Sequence, residues 1–489
     1  MFQPLSPRVA EALLLSAAKQ TAMLEDFSIS PVCFCMSHRC RPIVAILTAL
    51  FCVFPCALLT AAETARPNFL VILADDHGYG DVSAYQNTVV RTPNIDRIGS
   101  EGMLFTTMRA NCTVCSPSRA AMLTGRYADR VGVPGVIRTQ PENTWGYFAP
   151  QVPTLADELK RAGYHTSLVG KWHLGLTTPN LPNERGFDFF HGFLGDMMDD
   201  YYTHQRHGNN YLRKNQEVVE TKGHATQIFT DWAIDSFRQR KDTAPFFLYL
   251  AYNAPHFPIQ PPEEWLQKVK QRAPQLSEAR ARNVAFVEHL DHHIGRLLDA
   301  LDAAGLAKNT VVIFGADNGG SLAHAQNNDP WRGGKQDHYD GGLRIPFLVR
   351  WPAQIKPGAR SDYPGLLFDI FPTCLELAGA KVPAGIDAVS LAPLLRGQPL
   401  HTPERELYFV RREGGKPYLG NAYHALIRGD WKILRNHPAQ PYELYNVKND
   451  PAEKNDVSST NPAILEELTN ALNRQIKRGE ETPWRAPAK

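Results

Sequence analysis

Cysteine is scarce where a disulfide-built fold would need it. Of the eight cysteines in 489 residues, five (Cys33, Cys35, Cys40, Cys52 and Cys56) lie within the first sixty positions, leaving only Cys112, Cys115 and Cys374 beyond them. That distribution excludes a disulfide framework. An excess of one charge is also missing. The formal net charge is +2, and no basic run stands out, which argues against nucleic acid or an anionic membrane surface as a partner. No internal repeat and no low-complexity tract breaks the chain. What is present is a 43% hydrophobic fraction, ample for one large globular unit or two domains. Cys112-x-x-Cys115 reads in isolation as a redox pair or half a zinc site. No second Cys pair exists, and no His pair at metal spacing lies nearby to complete either one.

The amino terminus reads as a targeting segment. Pro42 to Ala62 (PIVAILTALFCVFPCALLTAA) is an apolar run behind His38, Arg39 and Arg41 that ends in small residues. This is the layout of a secretory signal peptide cleaved near Ala62, with an uncleaved membrane anchor as the alternative. Met36 is a conventional start for it, so residues 1–35 read as an upstream mis-start and residues 1–62 are set apart from the fold. The expected location is periplasmic or secreted.

Beyond that segment, apolar runs of strand length alternate with helical patterns. Asn68–Ala74 (NFLVILA), His165–Gly170, Phe246–Ala251, Thr310–Ala316 and Pro346–Val349 suit strands buried on both faces. Val152–Ala162, Ala279–Ala304 and Leu367–Ala378, the last started or kinked at Pro372, have helical periodicity. This alternation predicts an α/β fold: a large, mixed, mostly parallel sheet with helices on both faces, over residues 66–400. From 401 to 482 short strand-like pieces (Leu407–Val410, Ala425–Ile427, Trp431–Leu434, Glu443–Tyr445) and a helix at Pro462–Lys477 predict a small antiparallel sheet with one helix. Residues 483–489 are expected to fray.

The chemistry-bearing residues follow the expected strand ends, where ligands gather in α/β sheets. Asp75 and Asp76 close the first strand, and Asp317-Asn318 close the strand at 310–316. Adjacent carboxylates repel, and a cation removes that cost. An all-oxygen set of this kind favours Ca2+, or Mg2+, over zinc. Lys171 and His173 follow the 165–170 strand, and extended backbone is expected to put both on one face. His256 sits in a stiff Ala-Pro-His-Phe-Pro loop. Lys335 lies among glycines that allow close backbone approach. Cys115-Ser116-Pro117-Ser118-Arg119 reads as a helix start, with Ser116 as N-cap, Pro117 at the first helical position and Gly125 as the stop. Cys115 at the positive helix end is expected to be an acidified thiol, with Arg119 one turn on. Each piece alone is also ordinary turn or surface chemistry; their convergence is what points to a site.

The run from Cys115 to Arg126 matches the signature C-x-P-S-R-x-x-x-x-T-G-R at every fixed position. PNFLVILADDHGYGD, GKWHLG, APHFP, DNGG, RGGK and ELYNVKNDPAEKNDV resemble further blocks of the same family. The chain thus resembles the type I, formylglycine-dependent sulfatases of the arylsulfatase and N-acetylgalactosamine-6-sulfatase type, which have the alkaline-phosphatase-like fold. The resemblance implies that Cys115 is oxidised by a formylglycine-generating enzyme to an aldehyde whose hydrate is the nucleophile. It implies that Asp75, Asp76, Asp317 and Asn318 bind calcium, with residue 115 also touching the metal, and that Arg119, Lys171, His173, His256 and Lys335 line the sulfate pocket. Asp340 stands where the family more often has glutamate. The implied activity is hydrolysis of a sulfated carbohydrate or aryl sulfate. The alternatives are a formylglycine-dependent phosphonate or phosphodiester hydrolase and a non-catalytic binder of sulfated glycans. In the loop Gly195–Gly223, residues Asp199, Asp200, Tyr201, Tyr202, His204 and His207 are either sugar contacts or ordinary loop residues.

Overall fold

The apolar runs form the middle of a ten-stranded sheet. The computed structural model describes residues 66–85, 89–238, 243–400, 402 and 404–487, and the expected signal peptide lies outside them. In chain order the strands are β1 (Asn68–Ala74), β2 (Met103–Phe105), β3 (His165–Lys171), β4 (Phe189–Phe193), β5 (Gln205–Arg206), β6 (Asn209–Asn210), β7 (Leu212–Lys214) and β8 (Glu217–Val218). They continue with β9 (Phe246–Ala251), β10 (Thr310–Ala316), β11 (Phe347–Arg350), β12 (Ala359–Ser361), β13 (Glu406–Arg412), β14 (Ala422–Arg428), β15 (Trp431–Leu434) and β16 (Glu443–Asn446). The large sheet runs β12-β2-β11-β10-β1-β9-β3-β4-β7-β8, and its centre, from β10 to β4, is entirely parallel. β5 and β6 pair only with each other.

The helices longer than one turn are α1 (Pro93–Ser100), α2 (Cys115–Thr124), α3 (Leu155–Arg161), α4 (Ala225–Arg238), α5 (Glu263–Arg272), α6 (Glu278–Ala303), α7 (Ile370–Leu377) and α8 (Pro462–Gly479). They cover both faces of the sheet, and β1 shows how. Phe69, Val71 and Leu73 pack with residues of α2, α3 and α7. Leu70, Ile72 and Ala74 pack on the other side with α1, α4 and α6. A strand sandwiched in this way must be apolar at every position, because its side chains alternate between two buried layers. β13 to β16 form the expected second, antiparallel sheet. Its core includes Leu468, Ala471 and Leu472 of α8.

Two expectations change in detail. The run Pro346–Val349 resembles the central strands in composition, but β11 lies antiparallel to β10. A strand buried on both faces carries the same pattern in either direction. At 367–378 a 3-10 turn (Leu367–Asp369) leads into α7, so Pro372 falls in the first helical turn, where its missing N–H removes no helical bond.

One helix junction sets a pH response. Asp291 of α6 accepts hydrogen bonds from the backbone N–H groups of Asn94 and Ile95 at 3.0 and 2.7 Å, capping α1 from outside. Burial pushes its carboxyl up to about 7, against the pull of those N–H groups, with Asp96 adding to the rise. A carboxyl raised in the folded state stabilises below its unfolded value of about 4, and that contribution is lost as pH rises through about 7. Asp291→Asn is therefore expected to flatten the dependence of Tm on pH between these values. Thermal unfolding at a series of pH values checks it, and an unchanged slope refutes it.

Candidate active site

Parallel strands bring their carboxyl ends to one edge. Ala74 pairs with Ala316, Leu73 with Ala251 and Gly170 with Ala251. The ladder runs one step further, since Asp75 N donates to Ala254 O and Asp317 N to Ala74 O. Asp75, Asp76, Asp317, Asn318, Lys171 and the His256 loop thus meet at one place. All of these are buried. The last two glycine segments close over it. A Cβ on Gly319 would lie 1.9 Å from Gly341 O, so only glycine lets the 317–320 and 340–342 loops approach, and Lys335 N donates to Gly320 O.

α2 carries Cys115 into the cluster. Cys115 is the first helical residue, the extended Val114 is the N-cap, and Gly125 ends the helix in the left-handed region at φ 64°. The expected N-cap shifts back by two residues. Ser116 does not cap; its Oγ accepts from Ile137 N at 3.0 Å. Ser118 Oγ bonds the backbone N–H and C=O of Cys112, which fixes the approach to the helix instead. Cys112 and Cys115 are both free thiols. Cys112 donates to Val410 O, turned away from a redox or zinc pairing.

At the centre, Cys115 Sγ lies 3.1 Å from Asp75 Oδ1 and 3.8 Å from Asp76 Oδ1. Three cations balance three carboxylates. Lys171 Nζ donates to Asp75 at 2.5 Å and Lys335 Nζ to Asp76 at 2.6 Å. Arg119 lies against Asp317, with Nε at 2.8 Å and Nη2 at 2.7 Å from Oδ2. Its Nη1 reaches Lys171 O and the Tyr249 hydroxyl. His256 Nδ1 faces Phe257 O at 2.7 Å, and Lys335 Nζ meets Nε2 at 3.1 Å. A carbonyl only accepts, so Nδ1 carries the ring proton and Nε2 accepts from the ammonium.

The expected acidified thiol is corrected. Burial raises the Cys115 thiol well above its usual value, and Asp317 and Asp75 raise it further. The negative charges beside the sulfur outweigh the helix dipole. His173 also departs from expectation. Its backbone is left-handed at φ 62° rather than extended, so it reaches the site by a kink after β3 and not by strand alternation. Burial holds its ring well below the usual range, and Lys171 and Arg119 add to that. Both ring nitrogens are buried, and the Ile137 backbone is the polar group that faces the ring.

The oxygens fit a hard divalent cation. Asn318 Nδ2 donates to Asp76 Oδ1 at 2.8 Å, while Asn318 Oδ1 is buried and unpartnered, an acceptor left for a ligand. Burial and Asp75 push the Asp317 carboxyl up to about 6, and a bound cation relieves such crowding. Asp75, Asp76, Cys115 and His256 offer ligand atoms that all lie within 4.8 Å of one another, and Asp317 is outside that group. His256 in that group was expected in the sulfate pocket. Its imidazole stands 3.4 Å from Asp76 Oδ2, while Asp317 accepts from Asp76 N through Oδ1 and from Arg119 through Oδ2.

A cavity of about 420 Å3 opens onto Cys115, His173, His256 and Lys335. Its mouth holds two guanidinium–carboxylate pairs that sequence reasoning missed: Arg206 with Asp196 at 3.0 Å and Arg138 with Glu413 at 3.1 Å. Phe257 stacks on His324 there, with ring centroids 4.7 Å apart. Of the loop residues considered as sugar contacts, Tyr201 is buried, its hydroxyl donating to Asn253 O and His256 O. Asp200 accepts from Tyr202 N, Thr203 N and Gln260. Both hold the loop and the His256 turn in place.

The fold class these features define is alkaline-phosphatase-like. Residues 67–380 match the family model described as Sulfatase, and residues 334–482 match that described as N-sulphoglucosamine sulphohydrolase, C-terminal. The chain belongs to the sulfatase family and is a sulfuric ester hydrolase. It is 32% identical over 458 residues to the N-acetylgalactosamine-6-sulfatase of Mus musculus, covering 88% of this chain and 82% of that one. It is 32% identical to the steryl-sulfatase of Rattus norvegicus, over 72% of this chain and 74% of that one. The crystal structure of Ps i-CgsB in complex with k-i-k-neocarrahexaose superposes with a TM-score of 0.78 at 30% identity, over 86% of this chain and 95% of that one. No helix among the described residues is long and apolar enough to cross a membrane.

Proposed function

We propose that this sulfatase removes sulfate from a sulfated carbohydrate, with Cys115 converted to formylglycine by a formylglycine-generating enzyme and a Ca2+ ion held beside it. The observation that carries this reading is the meeting of Cys115 Sγ with Asp75 and Asp76 at the positive end of α2. The aldehyde, when formed, supplies as its hydrate a hydroxyl that attacks sulfur and a second one whose deprotonation lets sulfate leave. The cation, when bound, supplies positive charge to the sulfate oxygens and lowers the pKa of that hydroxyl. Asp75, Asp76, Asp317 and Asn318 would hold it through oxygen.

The remaining work falls to side chains. Arg119, Lys171 and Lys335 put three positive charges around the sulfur position, and charge building on the sulfate oxygens strengthens their hold. The Lys335 ammonium, hydrogen-bonded to His256 Nε2, gives this pair a proton for the leaving alcohol. His173, neutral and lining the same cavity as Cys115, is suited to take a proton from the group at position 115. Two charged pairs at the mouth favour a polyhydroxylated substrate over a sterol, because hydroxyls satisfy both carboxylate and guanidinium groups. A periplasmic or secreted location follows from the signal-like segment and is part of the same proposal.

The test is sulfate release from defined saccharide sulfates, with an aryl phosphodiester as the counter-substrate. Sulfate is expected to be released about a hundredfold faster than phosphodiester, because a sulfate ester offers three free oxygens to Arg119, Lys171 and Lys335 where a phosphodiester of the same charge offers two and a second ester group. The reverse preference would assign the chain to phosphodiester chemistry. Chelation is expected to lower both the rate and Tm, with Ca2+ restoring both; binding at about 100 times Kd is worth about 2.7 kcal/mol. Tm and rate indifferent to chelator would remove the metal from the proposal.

A further inference from the structure

His256 stands in a turn whose carbonyls are all engaged. Ala254 O accepts from Asp75 N at 3.1 Å, and Asn253 O from His256 N at 2.9 Å. Pro255 O accepts from Gln326 Nε2 at 3.0 Å, and Phe257 O from His256 Nδ1 at 2.7 Å. The Tyr201 hydroxyl ties the two ends of the turn together. Its one proton is shared between Asn253 O at 2.7 Å and His256 O at 2.9 Å. Tyr201 is itself immobilised. It is 1% exposed, its ring stacks on His224 with centroids 5.2 Å apart, and it meets the Phe286 ring edge-on at 5.0 Å. Its N–H donates to Gln260 Oε1 at 2.8 Å, and its carbonyl accepts from Ala225 N at 2.9 Å. Phenylalanine would fill the same space without burying a hydroxyl, so the hydroxyl is there for the two carbonyls.

Placement matters at residue 256 because of the proton handled there. As the S–O bond of the substrate breaks, the bonding pair leaves on the alcohol oxygen, which then needs a proton. Lys335 Nζ, hydrogen-bonded to His256 Nε2 at 3.1 Å, is the source. Such groups work when held within about 0.5 Å of the productive geometry, and a misplacement of about 1 Å costs up to about a hundredfold. Phe257 O orients the imidazole ring, whereas Tyr201 and Gln326 fix the turn that carries it. His256 and Phe257 line the catalytic cavity, and Tyr201 acts on it through them. We propose that Tyr201, together with Gln326 on the neighbouring carbonyl, is a positioning residue for protonation of the leaving alcohol. The proposal rests on the reading of Lys335 and His256 as the proton source, and it assigns to the loop Gly195–Gly223 a part in that step. It also carries a selective consequence. An acidic phenol leaves without a proton, and a weakly acidic one does not. A turn that slips therefore loses rate where the proton is needed.

The test follows kcat/KM of the full-length enzyme across a series of aryl sulfates, from 4-nitrophenyl through phenyl to 4-methoxyphenyl sulfate. Tyr201→Phe is expected to stay within about twofold of the unaltered enzyme on 4-nitrophenyl sulfate and to lose about tenfold on 4-methoxyphenyl sulfate. Gln326→Met reads the same turn through a different carbonyl, and a loss of the same selectivity is expected, whether or not Tyr201→Phe folds well. Thr230→Val removes the partner of the buried Tyr252 hydroxyl, 2.7 Å away and next to the same turn. It should lower Tm with an even effect across the series, which is what a merely structural role would give. His256→Ala sets the scale of the selective loss. An even loss across the series in His256→Ala overturns the proton-source reading, and the positioning role with it. A selective loss in His256→Ala beside an even loss, or none, in Tyr201→Phe and Gln326→Met overturns the positioning role alone.

Discussion

Cys115→Ala is expected to reduce sulfate release to background, a loss on the order of 10^4-fold or more, as for removal of a covalent nucleophile. The packing cost of the change is small. The side chain is 3% exposed, but its polar contacts are only those of Sγ with Asp75 and Asp76, and alanine keeps the helix start. The variant should therefore fold with a Tm close to that of the parent, which separates lost chemistry from lost structure. Cys115→Ser is expected to be inactive too, unless the host enzyme that makes the aldehyde accepts serine. A serine hydroxyl attacks once, and its sulfate ester has no second hydroxyl with which to expel the sulfate. Mass spectrometry of the peptide spanning residues 110–126 should show sulfur exchanged for oxygen with loss of two hydrogens. A fully active enzyme with an intact thiol at 115 would overturn the mechanism. Burial and two carboxylates raise the unmodified thiol well above its usual value, and a thiol is a weaker nucleophile than a thiolate.

The central sheet was legible because strands buried on both faces must be apolar without interruption. β1, β9 and β10 form over the residues their composition marks. The flanking strands Met103–Phe105 and Leu212–Lys214 were not legible. Three residues carry no periodicity, and pairing with distant partners such as Phe347 decides their state. The meeting of Asp75, Asp76, Lys171, Asp317 and Asn318 was legible because these residues sit in short blocks just after strand ends, so that topology alone converges them. The mouth was not. Arg138 and Glu413 are separated by 275 positions, and a charged residue that waits for a distant partner looks in sequence like any solvated one. Ser116 misled for a local reason: N-cap chemistry is correct for serine, but its hydroxyl is engaged by Ile137, and helical backbone begins at Cys115, two residues before the expected Pro117. Asp340, marked in the sequence only as standing where the family more often has glutamate, spends its carboxylate on structure.

Asp340→Ala is expected to destabilise the fold by about 3–5 kcal/mol, the usual cost of removing one partner from a buried ion network. Asp340 is 2% exposed. Its carboxylate receives Arg109 at 2.7 and 3.1 Å, Arg344 at 2.8 Å and Lys432 at 2.9 Å, and its N–H donates to Glu453 at 2.6 Å. Lys432 belongs to β15 and is fully buried, and it also pairs with Glu453 at 2.7 Å. The carboxylate therefore joins the second sheet to the segment that follows β2 and to the loop before β11. Burial works against its charge, but Arg109, Lys432 and Arg344 hold the carboxyl well below its usual range. Removing it leaves two guanidiniums and an ammonium in a dry interior with only Glu453 nearby. A carboxyl depressed in the folded state contributes stability that is present above its unfolded value of about 4 and lost as pH falls toward the folded one. The Asp340→Ala deficit should therefore be largest at neutral pH and shrink on acidification. Asp340→Asn should recover part of the stability, since an amide oxygen still accepts from one or two of the donors, and Asp340→Glu should fail to recover all of it, because a longer side chain must fit the same enclosed space. Denaturant unfolding of the three variants across pH decides the matter: a deficit near zero at neutral pH would mean that the network is dispensable and that the second sheet is held by its apolar face alone.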